Sequence, residues 1–146
     1  MLTRRRFLRV VGAGGAGVAV VACGDSPDLS PEVGRWTVGS PDEYDEGDLR
    51  YFDDGPILVG RDAGGIYAMS AICTHRACEI GDDADEILPE LDEIECNCHH
   101  STYTKNGERT GGPARKALQH YLVTLEDGIL VADTGVEAAA GDRLTV

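Results

Sequence analysis

Aromatic side chains make up only 5% of this 146-residue chain, with one Trp and two Phe, so any core it builds is small and aliphatic. Basic side chains are also scarce. Thirteen Lys and Arg face 26 Asp and Glu, a net charge of −13 that argues against nucleic acid as a partner. A surface this acidic suits plain solvation, a basic partner or a high-salt habitat. The apolar, glycine-rich stretch from Val10 to Ala22 is too short to span a membrane. As a helix it would cover roughly 20 Å, against a hydrocarbon core of about 30 Å. No internal repeat is evident. What the chain does have is 19 Gly and six Pro, a composition that favours a loop-rich, mostly β domain over a helical bundle. Its five cysteines are an odd number, which calls for an explanation.

The N-terminus supplies part of that explanation. "TRRRFLRV" (Thr3–Val10) carries Arg4 and Arg5, one further residue, then Phe7 and Leu8. It resembles the signal read by the twin-arginine export machinery. The apolar stretch that follows reads as a signal h-region, and it ends in "VVAC", Val20–Cys23. That sequence is similar to the lipobox of bacterial and archaeal lipoproteins, in which the cysteine is lipid-modified at the cleavage point. An uncleaved anchor, or secretory cleavage near Ala22, is the alternative. The expected organisation is a signal peptide over residues 1–22, a tether over 23–35 that begins at a lipidated Cys23, and one domain over 36–146. The tether, "GDSPDLSPEVG", is polar and has no helix or strand periodicity. Export by the twin-arginine route would place the domain on the outer face of the cytoplasmic membrane or in the periplasm, attached through lipid.

Within the domain, "RWTV", "PILVG", "GIYAMSAI", "YLVTL" and "ILVAD" read as short strands. In the third, Ile66, Ala68 and Ser70 face away from Tyr67, Met69 and Ala71. Glu126-Asp127-Gly128 marks a tight hairpin between the last two. The acidic segment Glu79–Glu95 reads mostly as a solvated loop with room for a helical turn. "VEAAAGD" near the end reads as a turn of helix or a frayed tail. His120 alternates with strand residues and reads as a surface or half-buried structural histidine.

Two Cys/His loops lie between the strands: Cys73-Thr74-His75-Arg76-Ala77-Cys78 and Cys96-Asn97-Cys98-His99-His100-Ser101. Two Cys and two His could make a closed zinc site. However, C-x-H is tighter than the usual zinc spacing, and zinc leaves the second cysteine pair unexplained. The pattern C-x-H … C-x-x-H resembles the Rieske iron–sulfur family, in which His₂ replaces Cys₂ on one iron of a 2Fe–2S cluster. The resemblance implies that Cys73 and Cys96 bind the inner iron and His75 and His99 the outer one. It implies a disulfide between Cys78 and Cys98, leaves His100 a neighbour of the site, and leaves Cys23 for lipid. It also implies that Ser101 and Tyr103 donate to cluster sulfurs and tune the potential, and that Gly111–Ala114 covers the cluster. The implied fold is stacked antiparallel sheets, three in number, with a small cluster-binding subdomain over about 71–115. An oxidising compartment would keep the disulfide formed, and twin-arginine export suits cargo folded around its cluster.

The chain departs from the quinol-oxidising members of that family at five places. Arg76 stands where an aliphatic residue is usual, Ala77 and His100 where glycine is, Asn97 where proline is, and Arg115 where a second proline is common. By resemblance the function is one-electron, proton-coupled transfer as an electron-transfer component, and any enzyme activity belongs to a complex. The implied partners are a quinol–cytochrome c oxidoreductase, with cytochrome c, or an exported oxidase. A ferredoxin of an oxygenase and a zinc-stabilised binding module are the alternatives.

Overall fold

A computed structural model describes residues 32–83, 86–88 and 92–146. The expected signal peptide, Cys23 and most of the expected tether lie outside the described residues. No helix among the described residues is long and apolar enough to cross a membrane.

The described residues form ten strands and one turn of 3-10 helix, Pro41–Glu43. The strands are β1 (Arg35–Thr37), β2 (Leu49–Phe52), β3 (Ile57–Asp62), β4 (Gly65–Ser70), β5 (Ile87–Leu88), β6 (Glu93–Cys96), β7 (Ser101–Thr104), β8 (Arg109–Gly111), β9 (His120–Glu126) and β10 (Ile129–Ala138). They make two antiparallel sheets, one ordered β1-β10-β9-β4-β3-β2 and the other β5-β6-β7-β8. The architecture is the mostly β, stacked antiparallel one that the sequence implies, with two sheets in place of three. Only two residue pairs join β4 to β9, Ala68 with Tyr121 and Met69 with His120. That short seam merges what would otherwise be two separate base sheets.

The period of two explains how the layers stack. Along β4, Tyr67, Met69 and Ala71 enter one core, with Ile80, Ile94, Tyr103 and Leu118. Ile66 and Ala68 enter the other, with Val38, Val59, Val123 and Leu130. β3 divides in the same way, with Leu58 facing the first core and Ile57 and Val59 the second. These two strands are therefore a wall shared by both cores. The β9–β10 hairpin turns at Asp127 and Gly128 with φ of 50° and 82°. Two successive positive φ values give the strand twist that a two-residue hairpin needs.

Two segments differ from the sequence reading. Glu79–Glu95 contains β5 and the start of β6, and Ile80 and Ile94 are fully buried. In β6 the acidic Glu93 and Glu95 alternate with buried Ile94 and Cys96, so a strand lies inside an acidic composition. "VEAAA" is neither helix nor tail over its first half, because β10 shifts register after Asp133 and then pairs Glu137 and Ala138 with Tyr121 and His120.

A polar staple links the sheets. Arg143 packs 4.2 Å over the Tyr67 ring and donates to Asp62 and to the Asn106 side chain. Tyr67 donates to the Lys105 carbonyl, and the buried His120 ring meets the Asn106 carbonyl at 2.8 Å. His120 is thus structural, but it is buried and not at the surface or half-buried as expected, and burial holds its imidazole below the ordinary histidine range.

Candidate metal centre

The first Cys/His loop leaves β4, and the second is the turn joining β6 to β7. Each is built as one turn closed by a hydrogen bond four residues back. Ala77 N–H donates to the Cys73 carbonyl at 3.0 Å, and His100 N–H to the Cys96 carbonyl at 2.9 Å. Each turn ends on a left-handed residue, Ala77 with φ 59° and His100 with φ 56°. These are two of the positions where the resemblance called for glycine, and the backbone shows why glycine suits them. A disulfide joins the loops, Cys78 to Cys98, with Cα atoms 6.6 Å apart.

The remaining Cys and His side chains converge. Cys73 and Cys96 are free thiols, almost fully buried. His75 is half-buried and His99 exposed, and their ring centroids lie 4.7 Å apart, edge to face. The Cys96 sulfur lies within 4.8 Å of both disulfide sulfurs, but those two are bonded to each other and offer no thiolate. A metal group here would draw on Cys73, Cys96, His75 and His99.

Their chemistry fits such a group. Nδ1 of His75 is buried and has no hydrogen-bond partner among the described residues. A buried nitrogen left unpaired is costly unless something binds it. Burial, followed by His99, Arg76 and Arg115, holds His75 below its ordinary range, so its imidazole stays neutral as a ligand must be. Burial pushes the Cys96 thiol up to about 11, and the neighbouring Cys73 adds to the rise. Metal binding would have to take that proton.

The Tyr103 hydroxyl lies against the first loop, and Ser101 closes the second. Tyr103 Oη lies 3.3 Å from Cys73 Sγ and accepts the Thr74 N–H at 3.2 Å. It is also 3.3 Å from Thr74 Oγ1, whose own proton goes to the Lys116 carbonyl at 2.7 Å. Tyr103 is therefore the donor towards Thr74, and its one proton is shared between that oxygen and the Cys73 sulfur. Ser101 is fully buried and accepts the Ala114 N–H at 3.0 Å, leaving its hydroxyl proton available. The covering segment sits close. A Cβ on Gly112 would stand 2.3 Å from the His100 carbonyl oxygen, so only glycine fits. Arg109 holds the segment through the Gly112 and Ala114 carbonyls.

Glu86 is a site residue that the sequence reading missed. It is almost fully buried, and its carboxylate accepts the N–H of Gly81 at 2.7 Å and of Asn97 at 2.8 Å. It thereby clamps the second loop between Cys96 and Cys98. Asn97 carried the signal, because a proline at that position would have no N–H to give. Thr74 was missed as well. His100, the expected neighbour, is exposed and pairs with Glu95 at 2.6 Å.

The Rieske 2Fe-2S domain model matches residues 35–122, more than half of the chain. The chain belongs to the Rieske family. A Rieske relative, the cytochrome b6-f complex iron-sulfur subunit of Chlorobaculum thiosulfatiphilum, is 32% identical over 88% of this chain and 75% of its own length. The protein of the same description from Chlorobaculum tepidum is 36% identical, over 58% of this chain and 44% of its own length. In fold, the chain is similar to the cyanobacterial plasma membrane Rieske protein PetC3 from Synechocystis PCC 6803. That likeness has a TM-score of 0.50 at 21% identity, over 67% of this chain and 98% of the other. As a member of the family the protein is an electron-transfer domain with a 2Fe–2S cofactor, in the branch that carries a disulfide between the cluster loops.

Proposed function

We propose that Cys73 and Cys96 hold the inner iron and His75 and His99 the outer iron of one 2Fe–2S cluster, and that the protein is a lipid-anchored, exported electron carrier. The observation that carries the ligand set is the unpaired, buried Nδ1 of His75 beside His99 and two buried free thiols. When bound, the cluster supplies one-electron redox chemistry.

The rest of the work falls to the chain. His99 is exposed and His75 half-buried, and the ring nitrogen not used for ligation can hold or release a proton. Tyr103 aims its hydroxyl at Cys73 Sγ, and Ser101 has a proton to give. Hydrogen bonds to sulfur favour the more negative, reduced state and so raise the potential. Buried Cys73 and Cys96 keep water from the inner side.

Two placements fit this carrier: a subunit of a quinol–cytochrome c oxidoreductase, and the donor subunit of an exported oxidase. The cytochrome b6-f relatives support the first. Arg76, exposed where quinol-oxidising members place an aliphatic residue, supports the second. The twin-arginine pattern and the lipobox at Cys23 support export and lipid anchoring.

Iron and sulfide analysis with visible and EPR spectra of the purified protein tests the ligand set. Two irons and two sulfides with a Rieske spectrum are expected. One zinc and no visible band would reject the carrier. Mass spectrometry of membrane-extracted protein tests the anchor, which an unmodified Cys23 would rule out.

A further inference from the structure

Everything after residue 22 holds only nine basic side chains against 26 acidic ones. Arg35, Arg50, Lys105 and Arg143 each pair with a carboxylate. Arg61 and Arg109 are spent on backbone carbonyls. The other three are Arg76, Arg115 and Lys116. All are exposed, and none of these side chains has an ion pair or hydrogen bond with a described residue.

These three are not scattered. Arg76 follows His75 in the chain, and Arg115 follows Ala114, whose N–H donates to Ser101 two residues after His99. Lys116 is anchored beside them, since its carbonyl accepts the Thr74 hydroxyl at 2.7 Å. The disulfide side of the loops is anionic, with a cavity there lined by the exposed Glu79, Asp82 and Asp83. In a chain with carboxylates to spare, cations left unpaired on one flank of the histidine edge mark a surface meant for charges from outside.

We infer that Arg76, Arg115 and Lys116 form the docking face for an electron-transfer protein whose own cofactor edge is bordered by carboxylates. The anionic flank turns such a partner towards the cationic side, which fixes its orientation at the histidines. Charge arranged in this way acts on encounter rate and selectivity more than on affinity. It works within a Debye length, about 10 Å at 0.1 M salt, where a local patch outweighs the distant net charge. The inference rests on the reading of His75 and His99 as the outer-iron ligands.

The test is stopped-flow oxidation of the reduced holoprotein by two one-electron oxidants, the trianion ferricyanide and the trication tris(phenanthroline)cobalt(III). Each takes one electron from the protein and releases no atom. With wild type, the ferricyanide rate should fall as salt rises, against the sign of the net charge. In the triple variant Arg76→Gln, Arg115→Gln and Lys116→Gln, it should drop several-fold at low salt and then rise with salt, while the cobalt rate increases. Arg35→Gln changes the net charge as Arg76→Gln does but lies on β1, and should react as wild type. Spectra and potentials of each variant correct for driving force.

A wild-type ferricyanide rate that rises with salt would overturn the docking face, as would a triple variant that reacts like wild type. So would wild-type binding to phosphatidylglycerol vesicles that the triple variant loses with its ferricyanide kinetics unchanged, since the cations would then serve a membrane. A wild-type protein with no Rieske spectrum would overturn the carrier reading itself, and this face with it.

Discussion

The core shared by β1, β9 and β10 is closed by Val38, Ile57, Val59, Ile66 and Leu130, which interlock without any covalent link. The core beneath the four-stranded sheet has to accommodate Cys73, Cys96 and Tyr103, and it is bounded by two loops whose outer residues, among them Arg76, His99 and His100, are exposed. There a disulfide, a buried carboxylate and a shared tyrosine proton replace aliphatic packing. The base rests mainly on packed apolar volume, with the Arg143 staple at one edge. The tip needs fixed atom positions, and its individual polar contacts supply them. This difference predicts where single substitutions act.

The largest effect should come from Cys78→Ser. Removing a native disulfide typically costs about 2–5 kcal/mol. The loss should be confined to the tip, because Cys78 and Cys98 crosslink the two loops and no base strand. Hydrogen exchange should speed up over the loops and β6–β8 while β3, β4, β9 and β10 stay protected, and iron content should fall. Equal loosening of the base would make the two regions one cooperative unit.

Next comes Glu86→Gln. The carboxylate takes one backbone N–H on each oxygen, whereas an amide presents a donor where one oxygen was. Hydrogen bonds to charged groups are worth about 1.5–3 kcal/mol, so a loss of that order is expected in denaturant unfolding. Asn97→Pro removes the same bond from the other side. The double variant should lose less than the two single losses combined, and additive losses would show that the clamp is not one interaction.

How much of this could be read in the sequence follows the same division. β3, β4 and the β9–β10 hairpin declared themselves through alternation and Asp-Gly, because base strands obey period two with an apolar face. The proposed ligands were named from Cys and His spacing and the hydroxyls that follow, and the disulfide in the structure brings those two loops together. β5 and β6 were hidden because Glu86, Glu93 and Glu95 make the segment look solvated, although Glu86 points inward to backbone donors. The fate of an acidic side chain depends on which N–H groups meet it, and those come from residues 81 and 97. The merging of the base sheets at β4 and β9 was equally hidden, since two residue pairs leave no trace in either strand's pattern.

A smaller effect is expected from Tyr103→Phe. Its hydroxyl supports the Cys73 sulfur and also accepts the Thr74 N–H, and burial followed by the bond to Cys73 pushes the phenol up to about 12. The hydroxyl therefore stays protonated and a donor across the ordinary pH range. Only the difference in bond strength between the redox states moves the potential. If that difference is about 1.4 kcal/mol, the potential falls by about 59 mV for one electron. Because the proton is shared with Thr74, Thr74→Val should free it for sulfur and move the potential the opposite way. Protein-film voltammetry on both variants decides this, and two shifts of the same sign would rule out a shared proton.

The smallest expected effect is a gain. Ala77 closes the first loop at φ 59°, a conformation that costs a residue with a Cβ roughly 1–2 kcal/mol. Glycine would avoid this strain but would lose roughly 0.5–1 kcal/mol more chain entropy on folding. Ala77→Gly should therefore stabilise the tip by about 0.5–1 kcal/mol, seen as a higher unfolding midpoint. His100→Gly relieves the same strain at φ 56° but gives up the exposed contact with Glu95, so its gain should be less. The base offers the control at Asp127, whose φ is 50° in the β9–β10 hairpin. Asp visits the left-handed region more readily than Ala, because its short side chain can hydrogen-bond locally. Asp127→Gly should therefore change stability less than Ala77→Gly. If the two gains were equal, the strain at Ala77 would belong to any tight turn and not to the geometry the ligand loops require.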